Sequence, residues 1–202
     1  WNIPMSIIRN EVAPHAGDAS YFERNNYYII ERKTGNRIDI ENLTAGNLRS
    51  GHYAVIQEGG AGNSLGRIIF RFPNNFSVFL HDTSSRGVFG RENRSVSHGC
   101  VRVQRPFDLA VFLLDNPDEW LLDRLRISMD IAPETNKGRR YIQNEDNNRR
   151  LIRSLTVKPN VPIFITYYTI FEEPDGSLRS YPDVYGYDNI MSMHIKPFMR
   201  QD

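Results

Sequence analysis

The chain has 202 residues, enough for one domain with a sizeable core, and an ordinary globular composition. With 25 Lys and Arg against 24 Asp and Glu, its net charge of +1 argues against nucleic acid or an anionic membrane as a general partner. The single cysteine excludes an internal disulfide, and no apolar run is long enough to cross a bilayer. The chain opens on Trp1, with neither a basic start nor a cleavable apolar stretch, so it reads as a piece of a longer protein whose anchor or targeting signal would lie upstream.

Residues 1–24 form a helical lead-in of two short pieces. Met5 to Val12 is stopped by Pro14, and Ala19 to Arg24 takes Asp18 as N-cap. A hairpin follows, with Tyr27 to Ile30 and Arg37 to Ile40 joined by the turn Thr34-Gly35-Asn36. Asn42 to Gly51 lacks a period and suits a surface loop or small lid. A second hairpin pairs Arg67 to Phe72 with Phe76 to His81 across Pro73-Asn74-Asn75, so His81 stands where a strand leaves its sheet. Asp82 to Val96 is a polar loop, and Val101-Arg102-Val103 resumes β alternation directly after Cys100.

Two helices are predicted next: Pro106 to Leu114, then Pro117 to Arg126 with Asn116 as N-cap. A third helix is expected near Glu145 to Leu155, a strand over Val161 to Ile170, a turn at Pro174-Asp175-Gly176, and loops to the end. This order favours an α+β fold, mainly β with peripheral helices, as an antiparallel sheet or sandwich in a single domain over 1–202.

The chemistry concentrates in Ser97-His98-Gly99-Cys100, with His81 upstream. A free thiol, with a pKa of about 8.5, is mostly protonated at neutral pH and needs a nearby imidazole to accept its proton. His81, at a strand edge, is better fixed for that task than His98. Gly99 lets the backbone turn so that the Gly99 and Cys100 amides can converge as an oxyanion hole. Against this stands the usual fate of a lone cysteine as a small buried hydrophobe. Zinc ligation by His81, Asp82, His98 and Cys100 fails the usual spacing, so no metal or cofactor is expected. His15, His52 and His194 have no motif context, although His52 could border the site if the preceding loop is a lid.

The histidine, the spacer Asp82 to Val96 and then Ser97-His98-Gly99-Cys100 resemble the signature of the L,D-transpeptidases of bacterial cell-wall synthesis. The likeness extends through Gly62-Asn63-Ser64-Leu65-Gly66-Arg67, Phe72-Pro73-Asn74, Phe89-Gly90-Arg91 and Asp183-Val184-Tyr185-Gly186-Tyr187-Asp188. It points to the larger, membrane-anchored Gram-negative branch.

The resemblance implies a β-sandwich-like catalytic domain with a short capping insertion at about 33–52. It also implies acyl transfer on peptidoglycan stem peptides: Cys100 attacks the third residue of a donor tetrapeptide, D-alanine leaves, and an acceptor amine takes the acyl group as a 3→3 cross-link. An L,D-carboxypeptidase or other wall-directed thiol hydrolase is the alternative, and an inactive wall-binding domain the non-enzymatic one. His81 would be base and then acid, and His98 would shape the pocket. Ser97 would support the turn, and either Asp82 or a backbone carbonyl would orient His81. Arg102 stands where many members carry asparagine, so it would hold a stem carboxylate or else make a structural salt bridge, with Arg91 and Arg94 as weaker candidates. Acylation by carbapenem β-lactams, a monomeric state and a periplasmic location held by an upstream anchor complete the expectation.

Overall fold

The lead-in helix runs further than its proline suggests. In the computed structural model, which describes residues 1–198, α1 (Met5–Ile7) passes into a π-helical turn, Ile8–Val12, and a 3-10 turn, Ala13–His15. Pro14 sits at the start of that last turn, where its missing N–H leaves no helical bond unmade. Then α2 (Ala19–Arg24) starts at the expected Asp18, whose carboxylate accepts the Tyr21 N–H at 3.1 Å.

The first sheet has the order β2-β1-β3, all antiparallel, from β1 (Tyr27–Glu31), β2 (Arg37–Ile38) and β3 (Tyr53–Gln57). Its core partner is the lead-in: Ile7, Ile8, Val12, Ala13 and Phe22 are buried with Ile29 and Val55. An Ile3 N–H to Val55 carbonyl bond of 2.9 Å ties the lead-in to β3. The stretch read as a loop or lid contains a helical turn, α3 (Ala45–Arg49). Thr44 Oγ1 accepts from Asn47 N, and Asn47 Oδ1 accepts from Thr44 N. Leu43 and Leu48 join the same core, so this is a packed element rather than a free loop. One turn is too short to show a helical period, which is why the residue pattern hid it.

The second sheet, of order β4-β5-β6, carries the site. The strands β4 (Ile69–Phe70) and β5 (Leu80–His81) are antiparallel, and β6 (Val101–Arg102) lies parallel beside β5. Both hairpin strands are shorter than their β-prone sequences predict. Asn74 is the reason: its side chain bonds the Phe72 and Val78 carbonyls and the Phe76 and Val78 amides, taking groups a longer ladder would use.

Three helices follow, α4 (Pro106–Phe112), α5 (Glu119–Ser128) and α6 (Asn136–Gln143). The cap of α5 is Asp118, accepting the Leu121 N–H at 2.6 Å, and not Asn116, whose φ of +45° is left-handed and unlike an N-cap. The third helix precedes the predicted span. Between 144 and 150, Asn144 and Asn148 bond nearby amides in turns, and Asn147 caps the Tyr141 carbonyl, which defeats a helix there. Ala110, Leu125 and Met129 form a second small core with Ile68, Phe70 and Phe107.

The chain divides into two compact units, 1–159 and 160 onward. In the second, β7 (Ile170–Glu172) and β8 (Leu178–Ser180) form a hairpin about the expected turn, while most of Val161 to Ile170 is unpaired. The C-terminal loops of the sequence reading are instead α7 (Tyr187–Ile195), followed by a 3-10 turn at Lys196–Phe198. The architecture is a mixture of small sheets and several helices, with one parallel pair inside a sheet expected to be antiparallel.

Fully buried Asp123 is the polar anchor of the helical region. It accepts the Glu134 and Thr135 amides at 2.8 and 2.9 Å, the Thr135 hydroxyl at 2.5 Å and Arg126 Nη1 at 3.1 Å. Burial alone would raise its pKa, but these donors outweigh it and hold the carboxyl below its ordinary 3.8. Its contribution to stability is therefore complete above pH 3.8 and is lost as pH falls through the depressed value. Asp123→Ala strands those donors and should lower unfolding free energy by about 3 kcal/mol in urea denaturation. A loss under about 1 kcal/mol would contradict this role.

Candidate active site

The local order of β5 and β6 decides which side chains meet. Leu80 pairs with Val101 and His81 with Arg102, and the ladder continues through Val101 N to Phe79 O at 3.0 Å and Val103 N to His81 O at 2.8 Å. Extending the register by one residue sets Cys100 level with Phe79. In a pleated pair, residues two apart on one strand and their partners on the next share a face. Cys100 and His81 therefore occupy diagonal positions on one face, with Phe79 and Arg102 beside them. The Phe79 and His81 rings meet edge to face at 6.0 Å.

His81 is buried, 3% exposed, and its Nδ1 is in contact with the backbone carbonyl of Asp82. A carbonyl only accepts, so Nδ1 carries the hydrogen and Nε2 keeps the lone pair a base requires. Of the two orienters left open by the sequence, the Asp82 backbone is the one in contact. Burial, joined by the Arg102 charge, pushes the imidazole below its ordinary 6.5 against the opposing pull of Asp82. His81 is thus neutral at neutral pH.

The Asp82 carboxylate, offered by the sequence as a substrate-binding candidate, is engaged by two basic residues of the chain. Oδ2 accepts the Arg67 N–H at 3.0 Å and Oδ1 takes Arg86 Nη1 at 3.1 Å. A side chain on Gly66, at φ +63°, would collide with this carboxylate, so the glycine is part of the support for His81. Gly66-Arg67 was visible as a motif in the sequence, but its link to Asp82 was not.

Cys100 is half-buried and unoxidised, and its Sγ makes no hydrogen bond to His81 among the described residues. Ser97 shapes the turn: Oγ donates to the Cys100 carbonyl at 2.7 Å and accepts the Gly99 N–H at 3.3 Å. That leaves the Cys100 N–H without an acceptor among the described residues, while the Gly99 N–H is engaged. Gly99 has φ +128°, and a Cβ there would press on Val78 Cγ1 at 3.1 Å.

His98 is engaged with the lead-in. Its Nε2 meets Glu11 Oε1 at 2.7 Å, on the lead-in, a partner 87 positions upstream that no local pattern announces. Arg102 is half-buried with its Nε enclosed and unbonded, and among the described residues no carboxylate pairs with it. Arg91 and Arg94 are exposed, and Arg94 Nε bonds the Arg91 carbonyl. His15 stacks on Tyr21, and His194 Nδ1 bonds the Ile190 carbonyl.

A cavity of about 370 Å³ opens beyond the ends of β5 and β6, lined by Asp82, Thr83, Arg86, Gln104, Arg105 and Phe107 among others. His52 borders a different one, of about 670 Å³, with Arg32, Lys33 and Tyr53. Among the described residues no group of three or more His, Cys, Asp and Glu side chains could hold a metal ion, and no helix is long and apolar enough to cross a membrane.

Two comparisons bear on this geometry. A family model described as YkuD, the L,D-transpeptidase catalytic domain, matches residues 1–127, more than half of the chain and inclusive of both His81 and Cys100. A Haemophilus influenzae protein provisionally named an L,D-transpeptidase is 28% identical over 194 residues, 96% of this chain and 35% of that protein. The chain thus spans about a third of the length of that relative. With its site strand and nucleophile turn inside the matched region, the chain belongs to the YkuD family of L,D-transpeptidase catalytic domains.

Proposed function

We propose that this domain is a cysteine-dependent peptidoglycan L,D-transpeptidase in which Cys100 is the nucleophile and His81 its base. The observation that carries the reading is the parallel β5–β6 pair, with His81 held by the Asp82 carbonyl so that Nε2 is left as acceptor on the face Cys100 shares. Substrate binding draws the two side chains to bonding distance, a closure common where the free site is loose. His81 Nε2 takes the thiol proton as Sγ attacks the carbonyl carbon of the third stem residue. The tetrahedral oxyanion is met by the Cys100 N–H.

The C–N bond to D-alanine then breaks, and His81 returns its proton to the leaving amine, giving a thioester. The side-chain amine of a second stem attacks that thioester, His81 takes the amine proton, and the thiol is regenerated with a 3→3 cross-link formed. Arg102, charged and without a carboxylate partner among the described residues, suits the terminal carboxylate of the departing residue. Such a substrate puts the domain outside the cytoplasmic membrane, facing the periplasm.

Purified tetrapeptide muropeptides test the reaction. Dimers linked 3→3 are the expected product; tripeptides alone, with no dimer, would replace the transpeptidase by an L,D-carboxypeptidase. Intact mass spectrometry after incubation with a carbapenem should give one covalent adduct, absent in Cys100→Ala. An adduct surviving in that variant removes Cys100 as nucleophile. The depressed imidazole keeps His81 unprotonated to lower pH than usual, so the acid limb of the acylation rate should lie below pH 6.5. A limb at or above 6.5 would contradict the burial of the base.

A further inference from the structure

The segment that delivers the nucleophile is tied mainly to itself. Residues 91–99 have no regular structure and are exposed apart from half-buried Val96. Their polar contacts are local: Arg91 N to Val88 O, Arg94 Nε to Arg91 O, Ser95 N to Asn93 Oδ1, Val96 N to Arg94 O, and the two Ser97 Oγ bonds. Each spans three residues or fewer. Among the described residues one polar contact of this segment reaches a distant part of the chain, His98 Nε2 to Glu11 Oε1 at 2.7 Å.

The far end of that contact is firm. Glu11 lies in the π-helical turn Ile8–Val12, and Ile8, Val12 and Ala13 around it are fully buried. Its carbonyl also accepts the Tyr21 hydroxyl at 3.3 Å. π-turns inside helices recur at functional positions, because the extra residue redirects a side chain. We propose that Glu11 is a positioning residue: through His98 it fixes the Ser97–Cys100 turn on the lead-in helix, and so sets the attack geometry of Cys100 toward His81. This deepens the transpeptidase reading and rests on it. It also gives His98 a definite task. With Nε2 committed to Glu11, His98 orients the turn while His81 handles the proton.

Both side chains are more than half exposed, 61% and 52%, so the pair adds little to global stability. A local equilibrium between ordered and splayed turn is still sensitive to it. A contact of this class shifts such an equilibrium by roughly two- to fivefold.

The test is the kinetics of carbapenem acylation of Cys100 in Glu11→Ala, Glu11→Gln, His98→Ala and the double variant Glu11→Ala/His98→Ala. In Glu11→Ala the maximal acylation rate should fall by about two- to fivefold with half-saturating concentration unchanged, and the melting temperature should move by less than about 2 °C. Glu11→Gln, which still accepts from Nε2, should recover most of the rate, and the double variant should be no slower than His98→Ala alone. Amides of residues 95–100 should exchange faster in Glu11→Ala, a readout independent of catalysis. An unchanged rate and unchanged exchange in Glu11→Ala overturn the inference, as do multiplicative effects of the two single variants or a loss that Gln fails to restore. Absence of any Cys100 adduct in the native chain overturns the transpeptidase reading itself, which the exchange arm keeps separate.

Discussion

Two backbone pairings, Leu80 with Val101 and His81 with Arg102, hold together what the sequence separates by a polar loop. Parallel neighbours need a crossover connection, and here the crossover is the 3-10 turn Arg86–Gly90 with the exposed segment after it. Because the pairing is parallel, both strands deliver their functional residues with the same sense. His81 leaves β5 at its C-terminal end, while Cys100 enters β6 at its N-terminal end, one step along the same face. A slip of one residue would send Cys100 to the opposite face and dismantle the site.

Around this pair, each polar group is committed to one task. The Asp82 backbone fixes the imidazole tautomer, and the Asp82 carboxylate is anchored by Arg67 and Arg86 in space that Gly66 leaves open. Ser97 gathers the Cys100 carbonyl and the Gly99 amide into one turn. Arg102, which no carboxylate pairs with among the described residues, sets a positive charge beside a buried base and favours unprotonated His81.

Much of this was legible in the residues. Asp18 as a cap, both hairpins and the β6 strand follow from side-chain preferences over a few positions. The errors share a cause, local side-chain bonding that no periodicity records. Asn74 shortens β4 and β5, the Thr44–Asn47 box makes a helix from an aperiodic stretch, and asparagines at 144–148 stop the helix expected near Glu145 to Leu155. Contacts distant in sequence were out of reach altogether. Glu11 with His98 and Gly66 with Asp82 exist only after the chain has folded.

The division of labour between the two histidines is the centre of the account, and single-turnover acylation of Cys100 measures it directly. His81→Ala should slow thioester formation by about a hundredfold or more, the usual scale for losing a general base, while His98→Ala keeps the reaction within about tenfold of the native rate. The reverse order, with His98→Ala nearly inert and His81→Ala close to native, would contradict it.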